Sequence, residues 1–84
     1  MIVTLIGKPG CHLCDDAREV IHGVLADFDD VELVERSILE DPALRDAYAE
    51  EIPVVLIDGA QHTYWRVDAD RLRTALRGRA AARA

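Results

Sequence analysis

The feature that most constrains this chain is an abrupt change of periodicity close to its start. Ile2 to Ile6 is a short, apolar, β-branched run closed by Gly7, which reads as a buried strand. Lys8-Pro9-Gly10 is a turn signal. From about Cys11 to Ala26 the pattern becomes helical, with an apolar stripe of Cys14, Ala17, Ile21, Val24, Leu25 and then Phe28. Asp15, Asp16 and Glu19 fall in the first turns, where the helix dipole favours negative charge. Val31 to Arg36 then alternates apolar and charged residues, as a half-exposed strand does. Strand, helix and strand in that order form a βαβ unit, with parallel strands and a right-handed crossover.

The second half changes character. Asp41-Pro42 predicts a helix start, with Asp as N-cap and Pro at the first helical position. Leu44, Ala47 and Tyr48 would be its short buried face. Pro53 opens Val54-Val55-Leu56-Ile57, apolar throughout like a central strand. Asp58-Gly59 is a hairpin turn signal, and Gln61 to Arg66 would be the returning strand. Asp68 caps a last helix through Leu72, Ala75 and Leu76, which Gly78 is expected to end. The element order β-α-β-α-β-β-α predicts an α/β fold: a four-stranded mixed sheet with helices on both faces.

Length bounds this architecture to one domain over residues 1–84, because a chain of 84 residues has no room for a second core. Half of the residues are hydrophobic, so a core is expected, although a chain this short buries only about 60% of its unfolded surface. The opening apolar run is too short and too poorly flanked for a signal peptide, and no stretch is long enough to span a bilayer. The expected location is the cytoplasm, where cysteines stay reduced unless oxidation is their task. All 16 acidic residues lie before residue 71, while residues 71–84 carry five arginines and no acid. A basic helix end complementing its own dipole accounts for that asymmetry. Nucleic acid is not expected as a partner, since the acidic body would repel phosphate.

The chain has two cysteines, Cys11 and Cys14, and three chemistries are open to them. A structural staple would close a loop of about four residues for roughly 2 kcal/mol, and cytosolic structural disulfides are rare. A metal site needs ligands beyond a Cys-x-x-Cys pair, and the histidines His12, His22 and His62 lack ligand spacing. An iron–sulfur cluster bridged between two chains through Cys11 stays open as an alternative. Redox chemistry needs the fewest additions. Cys11 stands where free N–H groups begin a helix, close to Lys8, and such sites lower a thiol pKa from about 8.5 into roughly the 3.5–7.5 range. Asp15 and Asp16 oppose that, so the expected lowering is moderate. Cys14 lies one turn on, in the buried stripe. Helix positions three apart hold their Cβ atoms about 5–6 Å apart and a disulfide needs about 3.8 Å, so a small tightening closes the bridge. Cys11 would then attack a substrate disulfide and Cys14 would resolve the mixed disulfide. His12, between them, either stabilises the thiolate or is simply solvated.

Lys8-Pro9-Gly10-Cys11-His12-Leu13-Cys14 after a βα turn, with Ile52-Pro53 before a central strand, resembles the glutaredoxins of the thioredoxin superfamily. The run Ile52-Pro53-Val54-Val55-Leu56-Ile57-Asp58-Gly59 and the compact layout resemble the small bacterial glutaredoxin-like proteins in particular. The resemblance covers essentially the whole chain and implies a thioredoxin-like fold and a thiol–disulfide oxidoreductase. It makes Cys11 the nucleophile, Cys14 the resolving thiol and Pro53 a cis proline facing them. It has Ile52 lend its backbone to a bound substrate. Glutathione-using members carry a Gly-Gly pair, a polar residue and Asp at the start of the third helix. This chain has Trp65-Arg66-Val67-Asp68, so Asp68 alone carries over to substrate binding, beside Lys8 and His12 near the cysteines. Trp65 is expected in the core, with shaping of a substrate groove as its alternative, and Arg66 is expected in solvent as a strand residue, with carboxylate binding as its alternative. No resident cofactor or metal is expected. The implied partners are a disulfide-bearing protein or low-molecular-weight thiol, with glutathione, a related thiol or a reductase protein as electron donor, acting on a monomer. The remaining alternative is an adaptor domain that keeps the fold without turnover.

Overall fold

Backbone hydrogen bonding turns the first apolar run into strand β1, Ile2–Gly7, and the sequence after the turn into helix α1, His12–Leu25. The computed structural model describes residues 1–83, with side chains described as far as residue 80. Strand β2, Glu32–Ser37, follows, then helix α2, Pro42–Tyr48, strands β3, Val54–Ile57, and β4, Ala60–Tyr64, and helix α3, Ala69–Arg83. The sheet order is β2-β1-β3-β4. β1 pairs parallel with β2, Ile2 opposite Glu32, and antiparallel with β3, Ile6 opposite Val54. β3 and β4 form the antiparallel hairpin. The chain thus has the mixed four-stranded sheet that its pattern implies.

Strand alternation distributes the core between two faces. Val3, Leu5, Val55 and Ile57 point to one side, where Ala17, Ile21 and Val24 of α1 and Leu72 and Leu76 of α3 cover them. Ile6 and Val54 point to the other, with Ile38 and the half-buried Leu44 and Tyr48 of α2. Helices therefore flank both faces, unequally. Fully burying one such aliphatic side chain is worth about 1.5–3 kcal/mol, so most of the stabilisation comes from the α1/α3 face.

Several local expectations need correction. Ile2 is exposed at the outer end of β1, and Val31 packs on the core just ahead of β2. Ala47 is exposed, because a helix of seven residues presents only one i,i+4 pair, Leu44 and Tyr48, inward. Gly78 does not end α3; the alanine-rich stretch after it has high helix propensity and carries the helix to Arg83. β4 stops at Tyr64, since Trp65 turns out of the strand with φ of 65°.

The caps and turn follow their sequence signals. Asp41 accepts from the Ala43 N–H at 2.9 Å and Pro42 begins α2. Asp68 accepts from the Arg71 N–H at 3.0 Å. Asp58 and Gly59 both take positive φ, 49° and 86°, which gives a two-residue hairpin turn of the primed type. Two arginines of α3 face the acidic body: Arg73 reaches Asp27 at 3.5 Å and Arg79 reaches Asp58 at 4.0 Å. Exposed pairs of this kind contribute about 0–1 kcal/mol each.

Candidate functional site

The turn after β1 delivers Cys11 to the N-cap of α1 in an extended conformation, φ −94° and ψ 113°. Its Sγ accepts a hydrogen bond from the Cys14 N–H at 3.2 Å, the place a serine or aspartate oxygen usually takes. Its carbonyl accepts the Asp15 N–H at 3.0 Å, the first bond of the helix. The Cys11 sulfur is thus half-buried and aimed at the start of the helix, where unpaired amides gather.

Cys14 sits one turn further on and is 1% exposed. Burial, followed by its hydrogen bond to Cys11, pushes its thiol from the usual 9.0 up to about 11, against a smaller opposing effect of the Lys8 backbone amide. Negative charge on Cys11 and Asp15 adds to the rise. Below Cys14 lies Gly7. A Cβ at that position would come within 2.8 Å of the Cys14 Sγ, closer than real side chains approach, and 3.1 Å from its Cβ. Gly7 is therefore the floor that lets a sulfur rest against the end of β1. Sequence reasoning read it only as the stop of a strand; a glycine just before a turn does not distinguish a terminator from a close approach.

The Ile52–Pro53 peptide is cis. Pro53 is buried, and the Ile6–Val54 pairing puts it at the Gly7 end of the sheet, the end from which the cysteines project. Ile52 is half-buried against Ile6, Ile38 and Val54. Lys8 and His12 are both exposed on either side of Cys11, and Lys8 supplies its backbone rather than a buried ammonium to the Cys14 sulfur. Asp68 is engaged in capping α3. Two clefts flank α1. One, of about 200 Å³, is lined by Gly7, Lys8, Cys14, Asp15, Arg18 and Glu35, and Arg18 bridges both carboxylates there. The other, of about 160 Å³, lies between Leu13, Asp16 and Val20 on α1 and Trp65, Arg66 and Val67.

Trp65 is the largest departure from expectation. It is 53% exposed rather than in the core. Its backbone N–H donates to the Pro53 carbonyl at 2.8 Å and the Glu51 carbonyl at 3.3 Å, and its indole N–H donates to the Glu50 carbonyl at 3.0 Å. A bulky side chain in the left-handed region costs on the order of 1–3 kcal/mol, a conformation held here by those bonds. Arg66 is exposed, as expected. Among the described residues, no group of three or more His, Cys, Asp or Glu is arranged to hold a metal. No helix among them is long and apolar enough to cross a membrane.

The family model described as Glutaredoxin-like domain (DUF836) matches residues 2–77. The chain belongs to this glutaredoxin-like family. The glutaredoxin-like chain is similar to uncharacterized proteins of Mycobacterium bovis and Mycobacterium tuberculosis, each 32% identical over 75 residues, covering 84% of this chain and 77% of theirs. It is also similar to the crystal structure of a structural-genomics target from X. campestris, 34% identical, covering 90% of this chain and 96% of that one, with a TM-score of 0.70. A mutant thioredoxin from Halobacterium salinarum shares the fold at 23% identity, with a TM-score of 0.65 over 92% of this chain and 72% of that one. The fold of this glutaredoxin-like chain is thioredoxin-like.

Proposed function

We propose that this glutaredoxin-like domain is a dithiol–disulfide oxidoreductase. The observation that carries the reading is the pairing of a half-buried N-cap sulfur, which accepts a helix amide, with a buried thiol one turn behind it. The Cys11 thiolate attacks one sulfur of a substrate disulfide. The new Cys11–substrate disulfide forms as the substrate S–S bond breaks, and the departing thiolate takes a proton from solvent. Cys14 then loses its proton and attacks the Cys11 sulfur. The Cys11–Cys14 bridge forms and the second substrate thiol leaves, so the substrate gains two electrons that the dithiol loses. Glutathione, a related low-molecular-weight thiol or a reductase protein returns them.

The Cys14 amide donates to the Cys11 sulfur and fixes its position at the N-cap, in the way an N-cap side chain is usually held. Burial raises the Cys14 pKa, which leaves the first attack to Cys11. Pro53 shapes the floor beside the cysteines, and Ile52 offers backbone to an extended substrate. Lys8 and His12 are exposed beside the attacking sulfur, where they would meet substrate, and Asp68 takes part from the start of α3.

Turnover of a small disulfide, measured with and without glutathione, tests the reading. It predicts thiol-dependent turnover and a Cys14→Ser protein that accumulates a mixed disulfide at Cys11. A dithiol that never closes its bridge under oxidising conditions, in a protein with no turnover, would leave the reading without support.

A further inference from the structure

Trp65 keeps a conformation that packing does not explain. A tryptophan buried in a core would account for its own backbone, but this ring stands 53% in solvent with φ of 65°. It is nevertheless fixed. Three hydrogen bonds tie its backbone and indole N–H groups to the carbonyls of Glu50, Glu51 and Pro53, and Tyr64 meets it edge-on at 5.0 Å and 78°. Across the cleft stands Leu13, one of the two residues between the cysteines, itself 41% exposed. Large apolar side chains held rigid in water are the usual form of a binding anchor, since little side-chain freedom is lost when a partner covers them.

The cleft lies beside the redox pair along α1: Leu13, which falls between the cysteines in the chain, lines it, while neither cysteine does. Val20 and Val67 complete an apolar floor. Asp16 and Arg66 stand on opposite walls, one anionic and one cationic, and neither is in an ion pair among the described residues. The cleft thus offers apolar surface between balanced charges, which suits an uncharged apolar side chain carried on a polypeptide better than a small thiol of net charge.

We propose that Trp65 and Leu13 select the substrate: the disulfide that Cys11 attacks is borne by a peptide or protein with an apolar residue next to the reacting cysteine, and that residue seats between them. The proposal rests on the oxidoreductase reading and adds the chemistry of the substrate to it.

Two peptide disulfides, alike except for Leu or Ser beside the cysteine, test it. The unaltered protein should favour the Leu peptide by about tenfold in kcat/KM, the discrimination that an apolar pocket of this kind reaches. Trp65→Gly, which suits the positive φ, should reduce the preference to within about twofold, and Trp65→Phe should retain it. Equal rates in the unaltered protein, or an undiminished preference in Trp65→Gly, overturn the proposal. Trp65 is the single tryptophan of the chain, which gives a readout without turnover. With Cys14→Ser holding each peptide as a mixed disulfide on Cys11, the Leu peptide should shift the emission to the blue and the Ser peptide should not. Equal spectra for the two adducts defeat this proposal while leaving the redox reading intact. Failure to form either adduct removes both.

Discussion

The two sulfurs of the pair lie three residues apart in regions of opposite character. Around Cys11 the chain is at its surface: an extended N-cap residue, exposed Lys8 and His12, and a helix amide pointing at the sulfur. Around Cys14 it is closed. The residue is 1% exposed, pressed against Gly7, and burial pushes its thiol pKa up to about 11. One helical turn therefore separates a thiol that can meet a foreign disulfide from one that can meet only its neighbour. In the proposed exchange, the order of attack follows from this difference in burial.

Exchanging the roles of these regions is the most direct way to break the comparison. Cys11→Ser should reduce disulfide turnover to the uncatalysed background, whereas Cys14→Ser should permit the first attack and block the second, as trapping of the mixed disulfide would show by mass. If the serine variants behaved alike, the surface and the interior would not differ in function.

Alkali probes the buried side through Cys14. Between pH 9.0 and about 11 the unfolded thiol of Cys14 is ionised to a greater extent than the folded one. The unfolded state then binds fewer protons, so stability falls as pH rises through that window, by on the order of 2 kcal/mol at its upper end. Denaturation of the reduced protein against Cys14→Ala over the same range isolates the effect: the alanine variant should lack this slope.

Gly7→Ala sharpens the contrast further. Its added methyl would sit 2.8 Å from the Cys14 sulfur, and overpacking of this kind costs about 1–3 kcal/mol. Chemical denaturation should show that loss, and the rate of bridge closure should fall more than the rate of Cys11 alkylation. The smallest effect is expected in the charged cleft. Arg18→Ala removes bridges to Asp15 and Glu35 whose carboxylates are largely solvated, so the loss should stay under about 1 kcal/mol and shrink with added salt.

Much of this was legible beforehand because the periodicities do not compete. Continuous apolar runs marked β1 and β3, the Cys14–Val24 stripe marked α1, and Asp-Pro and Asp-Gly marked a helix start and a hairpin. The adjacency of Cys11 and Cys14 at a helix start was equally readable, since it is local. What escaped depends on contacts between distant segments. Gly7 is required by a sulfur seven residues away, and Trp65 is held out of the core by the carbonyls of Glu50, Glu51 and Pro53. Composition alone favours burying a tryptophan, and only tertiary hydrogen bonding reverses it. The end of α3 was missed for a different reason: Gly78 weakens a helix locally, but the alanines beyond it outweigh one glycine.

The position of β1 at the centre of the sheet carries a consequence for biogenesis. Its neighbours are β2 on one side and β3 on the other, and Asp58, 56 positions along the chain, fastens the amide of Ile2. β1 thus precedes both of its sheet partners along the chain, and the antiparallel one comes only after the βαβ unit and α2. Until β3 is synthesised, one edge of an apolar strand stays open to any passing chain, and a nascent-chain holdase would find its target there.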